Sequence, residues 1–127
     1  DPAMVHLALH RFGLARTPHL DVITADAFDT IATLPHHFDL ILVDLFHDDR
    51  IPERLSAPAT CVHLHARLSV DGLLLVNTMA LDEAGRSQGQ AVRDGLTAAG
   101  LSVRERVPLP GNRVWEAVKR RSPAALP

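Results

Sequence analysis

Two runs in this chain are apolar at every position, Leu40-Ile41-Leu42-Val43 and Leu73-Leu74-Leu75-Val76, with no polar alternation inside either. Short continuous runs of this kind, bounded by polar residues, read as strands buried on both faces. The first belongs to a strand from Phe38 to Asp44, and the second ends at Asn77. Elsewhere the apolar residues fall at other spacings. Asp1-Pro2 supplies an N-cap and a first-turn proline, and Val5, Ala8, Leu9 and Phe12 then share one helical face, with Gly13 suited to the position after the C-cap. Leu20 to Ala25 reads as a further strand, with Asp26 at its end and a short helix from Ala27 to Leu34 that Pro35 closes. A polar loop follows the strand that ends at Asp44. Ser56 and Pro58 mark the next helix, in which Ala57, Cys61, Leu64 and Leu68 face one way, and Asp71-Gly72 then turns the chain into the second apolar run. A helix from Arg86 to Ala99 turns Val92, Leu96 and Ala99 inward and stops at Gly100. Leu101 to Val107 and Val114 to Lys119 alternate more and are separated by Pro-Leu-Pro-Gly-Asn, which predicts an antiparallel hairpin.

The predicted order is αβαβαβαββ. Strands that alternate with helices demand parallel pairing through right-handed crossovers, and the last two strands add an antiparallel edge. This is an α/β fold, a three-layer αβα Rossmann-like sheet, spanning residues 1–120, with 121–127 as a loose tail. Composition narrows the picture. With 127 residues, 46% of them apolar, there is material for one domain with its own core and not for two. A net charge of −2 gives no electrostatic reason to expect nucleic acid or an acidic membrane surface. No apolar run approaches the roughly 18 residues that span a bilayer. Cys61 is the single cysteine, which excludes an internal disulfide and suits a reducing compartment, the cytoplasm.

In open parallel sheets ligands bind at the carboxyl ends of the strands, so Asp44 is read either as a site residue or as a turn aspartate. Asp26, at another strand end, is read either as a ligand-binding carboxylate or as the cap of the helix from Ala27. The histidines raise the question of a metal. His63 and His65 are two apart on a helix, about 200° around its axis, and cannot chelate together. His47 with Asp48 and Asp49 is the one cluster suited to an ion, and a solvated acidic loop is the preferred reading of it. No metal is therefore expected. Phe28, Phe46 and Trp115 read as packing residues.

Asp1-Pro2 opening a helix, Asp26-Ala27 after a strand, Phe38 to Phe46 (Phe-Asp-Leu-Ile-Leu-Val-Asp-Leu-Phe), Pro52 to Leu55, the strand after Asp71-Gly72 and Asn112 in the final hairpin stand in a particular order and spacing. That series resembles the class I S-adenosylmethionine-dependent methyltransferases, in their spermidine synthase-like branch. The resemblance implies S-adenosylmethionine, or its decarboxylated form, as cofactor. It implies Asp26, Ala27 and Asp44 as cofactor-binding residues, with the Asp26 carboxylate and the Ala27 amide on the adenine. It further implies Asp44 and His47 on the catalytic, acceptor side. The expected partner is a small-molecule acceptor, and a homodimer is left open. The resemblance also puts a Gly-rich loop and a ribose-binding acid before Asp1. The chain is then expected to be the C-terminal part of a longer domain that binds the donor poorly when made alone.

Against the aminopropyltransferases of that branch, Asp44-Leu45-Phe46-His47 stands where they carry Asp-Ser-Ser-Asp. Asn77 stands where they carry Gln, and the chain has no tyrosine. The expectation is methyl transfer. Aminopropyl transfer to a diamine, making polyamine, and a catalytically silent Rossmann-like binding domain are the alternatives.

Overall fold

The computed structural model describes residues 1–14, 17–106 and 110–121. Its elements are α1 (Pro2–Arg11), α2 (Ala27–Thr33), β1 (Phe38–Val43), α3 (Pro58–Arg67), β2 (Leu68–Met79), α4 (Glu83–Ala98), β3 (Ser102–Glu105) and β4 (Asn112–Val118), with a 3₁₀ turn at Glu53–Ser56. The four strands form one sheet in the order β1-β2-β4-β3. β1 and β2 are parallel, with Ile41 opposite Leu74 and Val43 opposite Val76. β4 runs antiparallel to both of its neighbours and lies between β2 and β3. The α/β class is borne out, as are the parallel pairing of the two apolar runs and the antiparallel hairpin at the end.

Local signals account for most boundaries. The Asp1 carboxylate accepts from the Ala3 amide at 2.8 Å and Pro2 occupies the first turn of α1, so one orphan donor is satisfied and another is absent. Asp26 caps α2 in the same way, and Asp82 caps α4. That last cap starts α4 earlier than expected, at Glu83 instead of Arg86. α4 ends before Gly100, whose φ of 95° is one that residues with a side chain seldom adopt.

Three expectations are corrected. Leu20 to Ala25 forms no strand among the described residues. A strand exists through the ladder it shares with a neighbour, and this segment has none. Asp71-Gly72 is not a turn before the second run but lies inside β2, which continues directly from the end of α3. Phe38 pairs with Leu68 and Leu40 already with Leu73, so the extra β2 residues are taken up as an irregularity at Asp71, with φ 62°. A Cβ on Gly72 would stand 2.8 Å from the Ser69 carbonyl oxygen, which is why the kink carries a glycine. Third, the run in β1 is buried on one face only: Val43 is buried, whereas Leu40 and Leu42 are 52% and 66% exposed. The centre of the hairpin loop, residues 107–109, and the tail, 122–127, lie outside the described residues.

The core fills one side of the sheet. Leu74, Val76 and Thr78 of β2, together with Trp115 and Ala117 of β4, alternate onto a face closed by Leu64 of α3 and by Val92 and Leu96 of α4. Each fully buried Leu or Val here contributes about 1.5–3 kcal/mol. α3 and α4 approach closely: a Cβ on Gly95 would meet the Cys61 sulfur at 2.8 Å, and Cys61 is fully buried. Gly89 gives α4 a similar approach to Thr78 of β2. α2 packs on α3, and the Arg67 guanidinium donates to the Ile31 and Ala32 carbonyls near the end of α2. α1 stands apart, with no buried residue.

Candidate functional site

The parallel register that sets Val43 opposite Val76 brings the next residues, Asp44 and Asn77, together at the carboxyl ends of β1 and β2. The Asn77 amide nitrogen donates to the Asp44 carboxylate at 3.0 Å. Asn112, at the start of β4, donates its own amide nitrogen to the Asn77 carbonyl oxygen at 2.9 Å. The direction of this chain is dictated chemically. An ionised carboxylate only accepts, so Asn77 must turn its NH₂ toward Asp44 and its oxygen toward Asn112. Asp44 is thus the terminal acceptor of a three-residue relay drawn from three strands, and it keeps acceptor capacity for a further donor.

Asp44 borders two concavities. One, of about 320 Å³, runs along the unpaired edge of β1 and is walled by Ala27, Phe28 and Ile31 of α2, by Ile41 and by Leu45. The other, of about 260 Å³, lies on the uncovered sheet face, with Leu42, Leu75 and Val114 beside the relay. Asp44 is the one carboxylate lining either.

Asp26 stands next to the first concavity. One of its oxygens accepts from the Phe28 and Asp29 amides at 2.9 and 3.0 Å, so the capping reading is realised. Arg54 closes over it. Its guanidinium lies 3.4 Å from Asp26 and 2.8 Å from Asp29, and its carbon is 4.7 Å from the centre of the Phe28 ring. Ala27 is the first residue of α2, where no intrahelical acceptor exists for its N–H. The structure therefore brings Ala27 and Asp44 to one cleft with Asp26 at its rim.

His47 is not brought there. It closes a tight turn with Arg50, donating its N–H to the Arg50 carbonyl at 2.8 Å and accepting from the Arg50 N–H at 3.1 Å, with Asp48 at φ 54° between them. It is exposed and borders neither concavity. Among the described residues no group of three or more His, Cys, Asp or Glu is arranged to hold a metal ion, and no helix is long and apolar enough to cross a membrane.

Arg50 fastens this loop to α4. Its guanidinium grips the Asp82 carboxylate through two hydrogen bonds, of 2.9 and 2.6 Å, while Asp82 also accepts from the Gly85 amide at 2.7 Å. The Arg50 hydrogen bond, the Gly85 amide and the positive charge nearby lower the Asp82 pKa to about 2. A depressed pKa contributes stability that is present above the ordinary carboxylate range and is lost as pH falls toward 2. Amide exchange at Gly85, compared with exchange elsewhere in α4, should therefore accelerate selectively below about pH 4. Asp82→Asn, which can still cap the helix, should abolish that pH dependence. Nothing in the sequence pairs Arg50 with Asp82, 32 residues away.

No protein-family model matches the sequence, and no curated protein sequence matches it. Solved structures do. Human methyltransferase-like protein 13, determined in complex with SAH, superposes with a TM-score of 0.74 at 22% identity, covering 98% of this chain and 60% of that one. An O-methyltransferase family protein from Burkholderia thailandensis superposes with a TM-score of 0.61 at 16% identity, covering 94% of this chain and 40% of that one. The chain thus spans only part of each of these proteins, and what it shares with them is a partial Rossmann-like methyltransferase fold.

Proposed function

We propose that this chain contributes to an S-adenosylmethionine-dependent methyltransferase of the spermidine synthase-like kind, acting on a small acceptor that bears an N–H or O–H group. The observation that carries this reading is Asp44, an acceptor-only group held between two concavities by Asn77 and Asn112. The residues of the first concavity fit the donor. Its Phe28, Ile31 and Leu45 walls suit a purine, the Ala27 amide has no hydrogen-bond acceptor among the described residues, and the Asp26 oxygen left out of the cap accepts from the Arg54 guanidinium at 3.5 Å. The donor supplies a methyl group on a sulfonium centre, so the protein has little covalent chemistry to perform.

What this chain's residues do is align and desolvate. Asp44 accepts a hydrogen bond from the acceptor's N–H or O–H and so turns its lone pair away from the carboxylate, and it can receive the proton lost on transfer. Asn77 and Asn112 fix the carboxylate's direction. Leu42, Leu75 and Val114 give the acceptor side an apolar lining. A diammonium acceptor calls for at least two carboxylates, and Asp44 alone lines these concavities, which favours methyl over aminopropyl transfer.

Calorimetry on the full-length protein with S-adenosylmethionine, its decarboxylated form and methylthioadenosine tests the reading. Binding of S-adenosylmethionine is expected, with no spermidine formed from putrescine and the decarboxylated donor. Asp26→Ala should weaken donor binding by about 1.5–3 kcal/mol and, because it also uncaps α2, cost about 1 kcal/mol of stability. Asp26→Asn should restore the stability and separate the two effects. A folded full-length protein that binds none of these nucleosides is the silent binding domain, and robust spermidine formation makes it an aminopropyltransferase.

A further inference from the structure

α1 carries two histidines whose arrangement the transferase reading does not use. His6 and His10 are one helical turn apart, and their ring centroids lie 4.3 Å from each other, tilted by 46°. Both are exposed. Side chains four residues apart stack on one face of a helix, which is the spacing that lets two imidazoles share an ion. Val5, Ala8, Leu9 and Phe12 cluster on one side of the helix, and at about 100° per residue His6 and His10 fall together, roughly 120° away from the centre of that cluster. Both rings are exposed to water.

At 4.3 Å the two rings are close enough for both to reach one ion. Imidazole donors suit Zn²⁺, Ni²⁺ and Cu²⁺, and among divalent first-row ions Cu²⁺ binds most tightly.

We propose that His6 and His10 form a surface site for a divalent late first-row transition ion, Cu²⁺ foremost, with water completing the coordination. Bridging one turn of α1, the ion also stabilises the folded helix over the unfolded one.

Titration of the protein with Cu²⁺, followed by electron paramagnetic resonance, tests this. One ion is expected to bind first, with hyperfine structure from two imidazole nitrogens. His6→Ala and His10→Ala should each weaken that binding by about tenfold or more, without loss of helix, since alanine is the better helix former. His36→Ala combined with His37→Ala, an exposed pair in the segment before β1, should leave it unchanged. Unaltered Cu²⁺ affinity in His6→Ala, or a loss confined to the His36 and His37 variant, overturns the assignment. Tighter binding of Zn²⁺ than of Cu²⁺ would overturn the assignment of Cu²⁺ as the foremost ion.

Discussion

Trp115→Ala is expected to lower stability by about 3–5 kcal/mol, whereas Trp115→Phe should change it by less than about 1.5 kcal/mol. Trp115 is only 4% exposed and sits in the middle of β4, opposite Val76 of β2 on one side and Glu105 of β3 on the other. Truncation to alanine opens a cavity under the strand that joins both halves of the sheet, and the rigid neighbours on β2 and α4 have little room to collapse into it. Phenylalanine fills most of the same space. It also deletes a liability, because the indole N–H of Trp115 is buried without a hydrogen-bond partner among the described residues. The Arg113 guanidinium, 5.3 Å from the ring centre, can stack on either aromatic. Urea denaturation of the three proteins reads the difference. A loss below 1 kcal/mol for the alanine variant would mean that β4 is not the centre of the sheet.

On the proposed transferase reading, Asp44→Ala in the full-length protein is expected to slow methyl transfer by about a hundredfold or more while leaving donor affinity within a few-fold. The carboxylate is the one ionised group at the place where both concavities meet, and its removal leaves the Asn77 amide with no acceptor on that side. Asp44→Asn separates charge from shape. It preserves size, and its amide oxygen can still accept from the Asn77 NH₂, so the relay is kept while the charge and the capacity to take up the proton are lost. Its rate should fall nearly as far as that of the alanine variant. Conversion of S-adenosylmethionine to S-adenosylhomocysteine across a panel of small amines and hydroxyl compounds is the measurement. Donor binding is followed separately, and an undiminished rate in Asp44→Ala removes Asp44 from the chemistry.

The sequence was most legible where structure is specified locally. Asp1, Pro2 and Gly13 marked α1, Asp26 and Pro35 marked α2, and Pro58 marked α3, because caps and prolines act on their own neighbours. The two apolar runs gave β1 and β2 and their parallel pairing. Leu20 to Ala25 was misread for the opposite reason: its composition favours a strand, but pairing depends on a partner that no local pattern reveals. Asp44 and Ala27 were legible through the strand end and helix start they occupy. The relay through Asn77 and Asn112 and the grip of Arg54 on Asp26 were not, since each joins residues far apart in the chain and rests on register. His47 followed the site strand in sequence, yet a turn at Asp48 carried it away from both concavities.

The close contact between α3 and α4 at Cys61 and Gly95 makes the protein's single thiol a built-in clock. Burial pushes the Cys61 thiol pKa up, so it is both shielded and short of thiolate in the closed state. An alkylating reagent can reach it only when the two helices part. With no second cysteine to contribute background, the rate at which the native protein takes up one equivalent of label reports how often that interface opens, and its dependence on reagent concentration tells opening frequency from open population.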